Sequence, residues 1–156
     1  RTTIPRASQS TERTCWRSKP KLADDVTIVT EKLKLLESVT VVMEERLRIA
    51  KECWLSGLRN LNEGLYTVAL IDISKAVFAA VDYYLIKNYG LKPDTHEKRF
   101  NFVFYRVRKI YPLLKRIFNY YREVYGKVAT KEECWEVREL AEKIFEELGI
   151  SEEIGE

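Results

Sequence analysis

The segment from Tyr66 to Asn88 constrains the fold of this chain more than any other part of the sequence. Its apolar residues cover most of a helix circumference: Val68, Ala69, Leu70, Ile71, Ile73, Ala76, Val77, Phe78, Ala79, Ala80 and Val81. A helix that is apolar nearly all round is stable only when other elements surround it. The pattern therefore predicts a central buried helix that ends at Tyr89–Gly90, and its small side chains predict neighbours that approach closely.

An apolar heptad pattern upstream predicts a long first helix from about residue 27 to residue 62. Its members are spaced alternately by four and three residues: Val29, Leu33, Leu36, Thr40, Met43, Leu47, Ala50 and Trp54. Gly64 follows where a left-handed C-cap is expected. Two interpretations stay open, because the helix could pack on its own bundle or form a coiled-coil arm that reaches a partner.

Asp94 and Glu97 have the spacing of a capping box, which predicts the start of a third helix. Pro112 interrupts that helix, because proline lacks a backbone N–H and clashes with the preceding turn. We expect a break or kink near Ile110–Tyr111 and a continuation to Tyr125.

A second capping-box pair, Thr130 and Glu133, predicts a last helix from Lys131 to Leu148 that Gly149 stops. No segment alternates as a strand would. The sequence predicts an all-α, four- to five-helix up-and-down bundle with an extended first helix. Its expected organisation is a flexible basic tail at residues 1–25, the bundle at 26–149 and a short acidic C-terminal tail at 150–156.

Charge is segregated along the second half of the chain. Residues 98–127 carry nine basic and one acidic side chains, whereas residues 131–156 carry three basic and ten acidic ones. In the basic segment the cations alternate with Phe and Tyr, a composition suited to holding phosphates and stacking bases. The alternative is structural: the aromatic rings face the core and the cations pair with the acidic last helix.

The order of these elements resembles a HEPN domain, particularly the short stand-alone prokaryotic members. The matching segments are Leu58–Tyr66, Ile73–Ala80, Pro93–His96, Tyr121–Tyr125 and Thr130–Glu133. The resemblance implies a helical bundle that forms a homodimer, with helices 2 and 3 lining a functional groove. Family members include ribonucleases, many of them toxins of toxin–antitoxin pairs, and proteins that bind nucleotides or act beside a small nucleotidyltransferase.

The ribonuclease members of that family use an Arg followed by a His after four to six intervening residues. Arg122 would need His at position 127, 128 or 129, and the single His96 would need Arg at 89, 90 or 91, and neither is present. We therefore expect a non-catalytic protein with no catalytic residue, which binds nucleotide, RNA or a partner protein. The alternatives are a divergent metal-independent ribonuclease toxin, using Arg122 with Tyr125 or His96, and a structural dimerisation module.

The residues expected to line a ligand groove are Asp72, Lys75, His96, Arg106, Lys109, Arg122 and Tyr125. Asp72 and Lys75 stand three apart on the central helix, so they either pair with each other or line the groove with Arg122. His96 lies near a helix N-terminus, where the helix dipole favours its neutral form. It serves either as a packing residue or as a ligand contact.

Several classes of protein find no support in the sequence. No apolar run reaches the length of a membrane span, and we expect no signal peptide, no membrane contact and a cytoplasmic protein. Three cysteines without CxxC spacing indicate neither a disulfide framework nor a zinc site, so no metal and no cofactor are expected. A composition rich in Lys, Glu and Arg is typical of thermophilic or archaeal proteins.

Overall fold

A computed structural model describes residues 2–4 and 22–155 of the chain. Within these residues the structure is helical and contains no strand, which confirms the all-α prediction. The helices are α1 (Leu22–Asn62), α2 (Tyr66–Tyr89), α3 (His96–Arg106), α4 (Tyr111–Glu123), α5 (Lys131–Leu148) and α6 (Ser151–Gly155), with a 3₁₀ turn at Arg108–Ile110.

Backbone contacts divide the chain into two units, Arg1–Leu35 and Leu36–Glu156, so the boundary falls inside α1. The described part of the first unit is residues 2–4, without regular structure, and the first turns of α1, whose side chains are all exposed. The flexible tail expected at residues 1–25 lies mostly outside the described residues. Its last residues, Leu22–Asp25, belong to α1, which begins five residues before its predicted start.

The second unit is built around α2, as predicted. Leu70, Ile73, Val77 and Val81 in this helix are fully buried. The helix packs mainly against α5 and α4, and α4 packs against α5. The helix ends at Tyr89–Gly90 as predicted, and Gly90 adopts the left-handed conformation.

The C-terminal half of α1 belongs to this core. Ala50 and Trp54, the last two members of the heptad pattern, are buried, and the Trp54 ring meets Phe145 of α5 edge-on at 5.1 Å. Gly57 brings α1 against α2, because a Cβ there would stand 2.6 Å from Cγ1 of Ile73. This half of the pattern therefore packs on its own bundle, whereas Val29, Leu33 and Leu36 are more than half exposed.

The start of α3 and the break between α3 and α4 differ from their predictions. The N-cap of α3 is Thr95, whose side chain accepts a hydrogen bond from Lys98 N, and Asp94 pairs instead with the Lys98 side chain. The break around Pro112 comes earlier than expected, at Val107, and the proline lies in the first turn of α4, where its missing N–H costs no hydrogen bond.

The last helix, α5, matches its predicted bounds, with Thr130 as N-cap and Gly149 as left-handed C-cap. Beyond it, the segment expected as an acidic tail forms the short helix α6. Ile150 and Ile154 there are buried in the core, and Glu153 pairs with Lys87 of α2. The C-terminal residues thus contribute to the bundle.

Candidate nucleotide-binding cleft

A cleft of about 310 Å³ opens between α3 and α4. The two helices are the two halves of the predicted third helix, and the break at Val107 lets them lie side by side. The cleft is lined by Glu97, Phe100, Asn101, Tyr111, Lys115, Phe118, Asn119 and Arg122. It therefore combines aromatic rings, side-chain amides and charges of both signs.

Aromatic rings form the apolar part of this cleft. The Phe100 ring lies 5.2 Å from Phe118 and 5.9 Å from Tyr111, both edge-on. All three side chains are half-buried, so part of each ring faces the open space. Such rings offer a surface on which a planar group can stack.

Two cations of α4 line the cleft beside these rings. The Arg122 guanidinium stands 5.1 Å from the Phe118 ring centre, and the Lys115 ammonium 5.9 Å from that of Tyr111. Arg122 donates a hydrogen bond to Asn119 Oδ1 at 3.3 Å. Within the described part of the chain neither cation pairs with a carboxylate, so both remain free to bind an anion.

Other cations of the basic segment do pair with α5, as the structural alternative predicts. Lys109 lies 3.3 Å from Glu147, and Lys127 lies 3.0 Å from Glu133. Glu136 accepts hydrogen bonds from both Arg116 and Tyr120. The structural interpretation therefore holds for these side chains, whereas Lys115 and Arg122 have no carboxylate partner among the described residues.

A buried charge cluster lies behind the aromatic rings. Arg99 donates two hydrogen bonds to Asp82, from Nε at 2.6 Å and from Nη2 at 2.9 Å. Its Nη1 lies 2.7 Å from Nδ1 of His96, and since a guanidinium cannot accept a hydrogen bond, Nδ1 is the acceptor. His96 therefore carries its proton on Nε2.

His96 packs among aromatic rings, 4.8 Å from Phe118 and 5.1 Å from Phe78. Burial lowers the pKa of His96, the charge of Arg99 lowers it further, and Asp82 opposes the shift. This agrees with the neutral imidazole that the sequence predicts, although the causes are burial and Arg99. The packing interpretation of His96 is the one the structure supports.

Tyr125, near the end of α4, is largely exposed, and its hydroxyl lies 3.1 Å from that of Tyr121. That hydrogen bond, together with burial, raises the pKa of Tyr121 to about 12. The Tyr121 hydroxyl is therefore protonated at neutral pH and can donate a hydrogen bond.

The cleft does not coincide with the groove expected between helices 2 and 3, because α2 contributes no residue to its lining. Asp72 does not pair with Lys75. It accepts hydrogen bonds from Ser56 at 2.8 Å and from Asn60 at 3.0 Å, both on α1, and Lys75 is exposed.

Of the predicted groove residues, Arg122 lines the cleft and His96 packs against the Phe118 ring of its lining. Tyr125 lies beyond the end of α4 and is not part of the lining. Arg106 and Lys109 do not line it. Arg106 lies over the Tyr89 ring at 5.4 Å, and Lys109 is held by Glu147. The sequence pattern could not separate these cations because all of them alternate with aromatic residues.

Sequence reasoning missed Glu97, Asn101 and Asn119 as lining residues and the Asp82–Arg99 pair. A usable signal exists for two of them: Glu97 and Asn101 stand four apart on α3, on the face that carries Phe100. Asp82 and Arg99 stand seventeen residues apart in sequence, on two different helices, so no local spacing predicts their pairing.

No protein-family model and no curated protein matches the chain. Within the described residues, His, Cys, Asp and Glu do not gather into a group that could hold a metal ion. None of the described helices has the length and apolarity needed to span a membrane.

Proposed function

We propose that the protein binds a nucleotide unit, free or within single-stranded RNA, in the cleft between α3 and α4. The observation that carries the proposal is the pair of cations, Lys115 and Arg122, beside the half-buried rings of Phe100, Tyr111 and Phe118. Both cations lack a carboxylate partner among the described residues. A nucleotide unit supplies what each part of the cleft lacks: an anion for the cations and a planar ring for the aromatic side chains.

The energetic basis is the usual one for single-stranded nucleic acids. A base stacked on an aromatic side chain gains about 1–3 kcal/mol, and each neutralised phosphate makes the affinity depend on salt. A guanidinium matches phosphate oxygens with two parallel N–H groups. Arg122 is therefore the phosphate contact, and Lys115 adds a second positive charge to the same wall.

A second cavity illustrates why the cleft is preferred. It measures about 440 Å³ and is lined by Lys109, Leu113, Lys143, Glu146 and Glu147. It holds no aromatic ring, and its Lys109–Glu147 pair already balances one of its charges. It offers neither a stacking surface nor a strong preference for anions.

Binding is favoured over cleavage because the Arg99 and His96 side chains are already hydrogen-bonded to each other, and Arg99 also to Asp82. Arg99 is held by the buried Asp82, and its remaining N–H group holds His96 Nδ1. Because Nδ1 accepts from Arg99, the neutral ring can give a proton from Nε2 but has no free nitrogen to take one, so a ribonuclease that uses His96 as its general base would have to release this bond. Incubation of the purified protein with total RNA tests this alternative, and intact RNA under varied conditions is the expected result.

The resemblance of segments such as Ile73–Ala80 and Tyr121–Tyr125 to HEPN domains supports a proposal for the family and the partners. We infer a HEPN-like protein of the type found in toxin–antitoxin pairs or beside small nucleotidyltransferases, and a homodimer in the cytoplasm. Analytical ultracentrifugation tests the oligomeric state, and a monomer at micromolar concentration would contradict the dimer.

Fluorescence anisotropy of a labelled single-stranded RNA hexamer tests the binding proposal. The double variant Lys115→Ala/Arg122→Ala removes both cleft cations. The slope of log K against log[salt] should become shallower by about 1.4, since each phosphate contact contributes about 0.7. Arg106→Ala/Lys109→Ala removes two positive charges outside the cleft and serves as the matched control. Equal losses in both double variants would show that net charge, and not the cleft, binds the RNA. Competition by free nucleotides separates recognition of a single unit from recognition of a strand.

A further inference from the structure

The two walls of the cleft differ in charge. The wall from α4 carries Lys115 and Arg122, whereas the wall from α3 carries Glu97 and Asn101 and no cation. Residues 100 and 101 follow Glu97 by three and four positions, so all three lie on one face of α3. The cleft is therefore polarised across its width.

Glu97 is free to meet a ligand. Its carboxylate is exposed and forms no ion pair or side-chain hydrogen bond with any residue that the structure describes, and the same is true of the Asn101 amide. Glu97 also lies in the first turn of α3, where the helix dipole stabilises negative charge. A phosphate beside it would be repelled, which directs the anion to the α4 wall.

A ligand held with its phosphate on α4 and its base on the rings presents the edge of the base to Glu97. A carboxylate only accepts hydrogen bonds. Adenine and cytosine present an exocyclic amino group on that edge, which donates, and guanine also carries one. Uracil carries only one donor there, N3–H, and it lies between two carbonyl oxygens, so a Glu97 carboxylate that accepts from N3–H brings its negative oxygens against O2 or O4.

We infer that Glu97 makes the cleft selective for amino-bearing bases, namely adenine, cytosine and guanine, against uracil. This inference rests on the proposed nucleotide binding and names the class of base that the same site accepts. Asn101, which can donate or accept, does not discriminate among bases and completes the edge contacts.

Cytosine against uracil is the matched comparison, because the rings are equal in size and differ in the groups at positions 3 and 4. Labelled oligocytidine and oligouridine hexamers are compared at one salt concentration by anisotropy. The expected preference for cytidine is about tenfold, the lower part of the range for one base-edge contact, because Glu97 is exposed. Equal affinities would overturn the inference and leave the binding proposal intact, while absence of binding to either hexamer would defeat the proposed function itself.

Glu97→Gln assigns the preference to this side chain. The glutamine amide can donate to the uracil oxygen, so the ratio should fall to within about twofold, mainly through tighter binding of oligouridine. Glu139→Gln changes an exposed glutamate of α5 by the same charge and should leave the ratio unchanged. A preference that survives in Glu97→Gln would overturn the role of Glu97.

Discussion

Replacement of Arg99 by Met tests whether the buried ion pair organises the helices behind the cleft. Asp82 is 1% exposed and Arg99 9% exposed, and the two share two short hydrogen bonds. Without the guanidinium the carboxylate stays buried, and only Arg46 remains near it, with Nε at 3.9 Å. Arg99→Met therefore leaves an almost uncompensated charge in the core.

The expected loss follows from this geometry. Removal of one partner of a buried pair costs about 3–5 kcal/mol, and because Arg46 stays close we expect the lower end, about 3 kcal/mol. For a domain of this size each kcal/mol lowers Tm by about 2–4 °C, so the melting temperature should fall by roughly 6–12 °C. Urea unfolding followed by circular dichroism at neutral pH measures the free energy of unfolding directly.

Two further variants make the result specific. Asp82→Leu/Arg99→Met removes both charges and should recover most of the loss, because an apolar pair of similar volume is close to neutral in stability. Arg59→Met, an exposed arginine on α1, should change stability by less than about 0.5 kcal/mol. The reasoning would be refuted if Arg99→Met unfolded like the native protein, or if the double variant were as unstable as the single one.

Three more outcomes follow from buried groups. Gly57→Ala should lower the free energy of unfolding by about 1–2 kcal/mol, because the added methyl group would stand 3.1 Å from the backbone N of Ile73 and overpack the core. This cost exceeds the gain in helix propensity, and a more stable variant would contradict the close approach. The pKa of His96 lies below its ordinary 6.5 in the folded protein, so the unfolded chain binds the proton more readily and stability should fall as pH drops below that value. An NMR titration of this single histidine checks the sign, and a midpoint at or above 6.5 would refute it. Burial raises the pKa of Cys134 to about 11. Iodoacetamide at mildly alkaline pH should therefore alkylate it at least about 100-fold more slowly in the folded than in the urea-unfolded chain. Peptide mass spectrometry measures the two rates, and equal rates would count against its burial.

Local signals predicted most of the helices. Helix α2 could be predicted from its own apolar residues, and the ends of α2 and α5 from Gly90 and Gly149. These signals involve only residues close in sequence, so they need no tertiary information. The cap of α3 was wrong by one residue because Asp94 and Thr95 are both good N-caps, and the pairing of Asp94 with Lys98 decides between them. The short α6 escaped prediction because its stability comes from Ile154 in a core built by distant residues.

The cleft was predictable only as a composition. The basic and aromatic alternation identified the right segment, yet it could not show that Lys109 pairs with Glu147 while Arg122 stays free. That difference depends on how α4 and α5 are aligned, which is a tertiary property. Asp72 was misplaced for the same reason, since its partners Ser56 and Asn60 lie on another helix.

The central claim is that a nucleotide unit binds between α3 and α4. An NMR titration of the isotope-labelled protein with cytidine monophosphate and with oligocytidine locates the binding site residue by residue. The account predicts saturable changes in the amide and side-chain signals of Phe100, Asn101, Lys115, Phe118 and Arg122, and small changes at Lys109 and Lys143. Signals that stay unchanged in the cleft, or that change chiefly around Lys109 and Lys143, would contradict it.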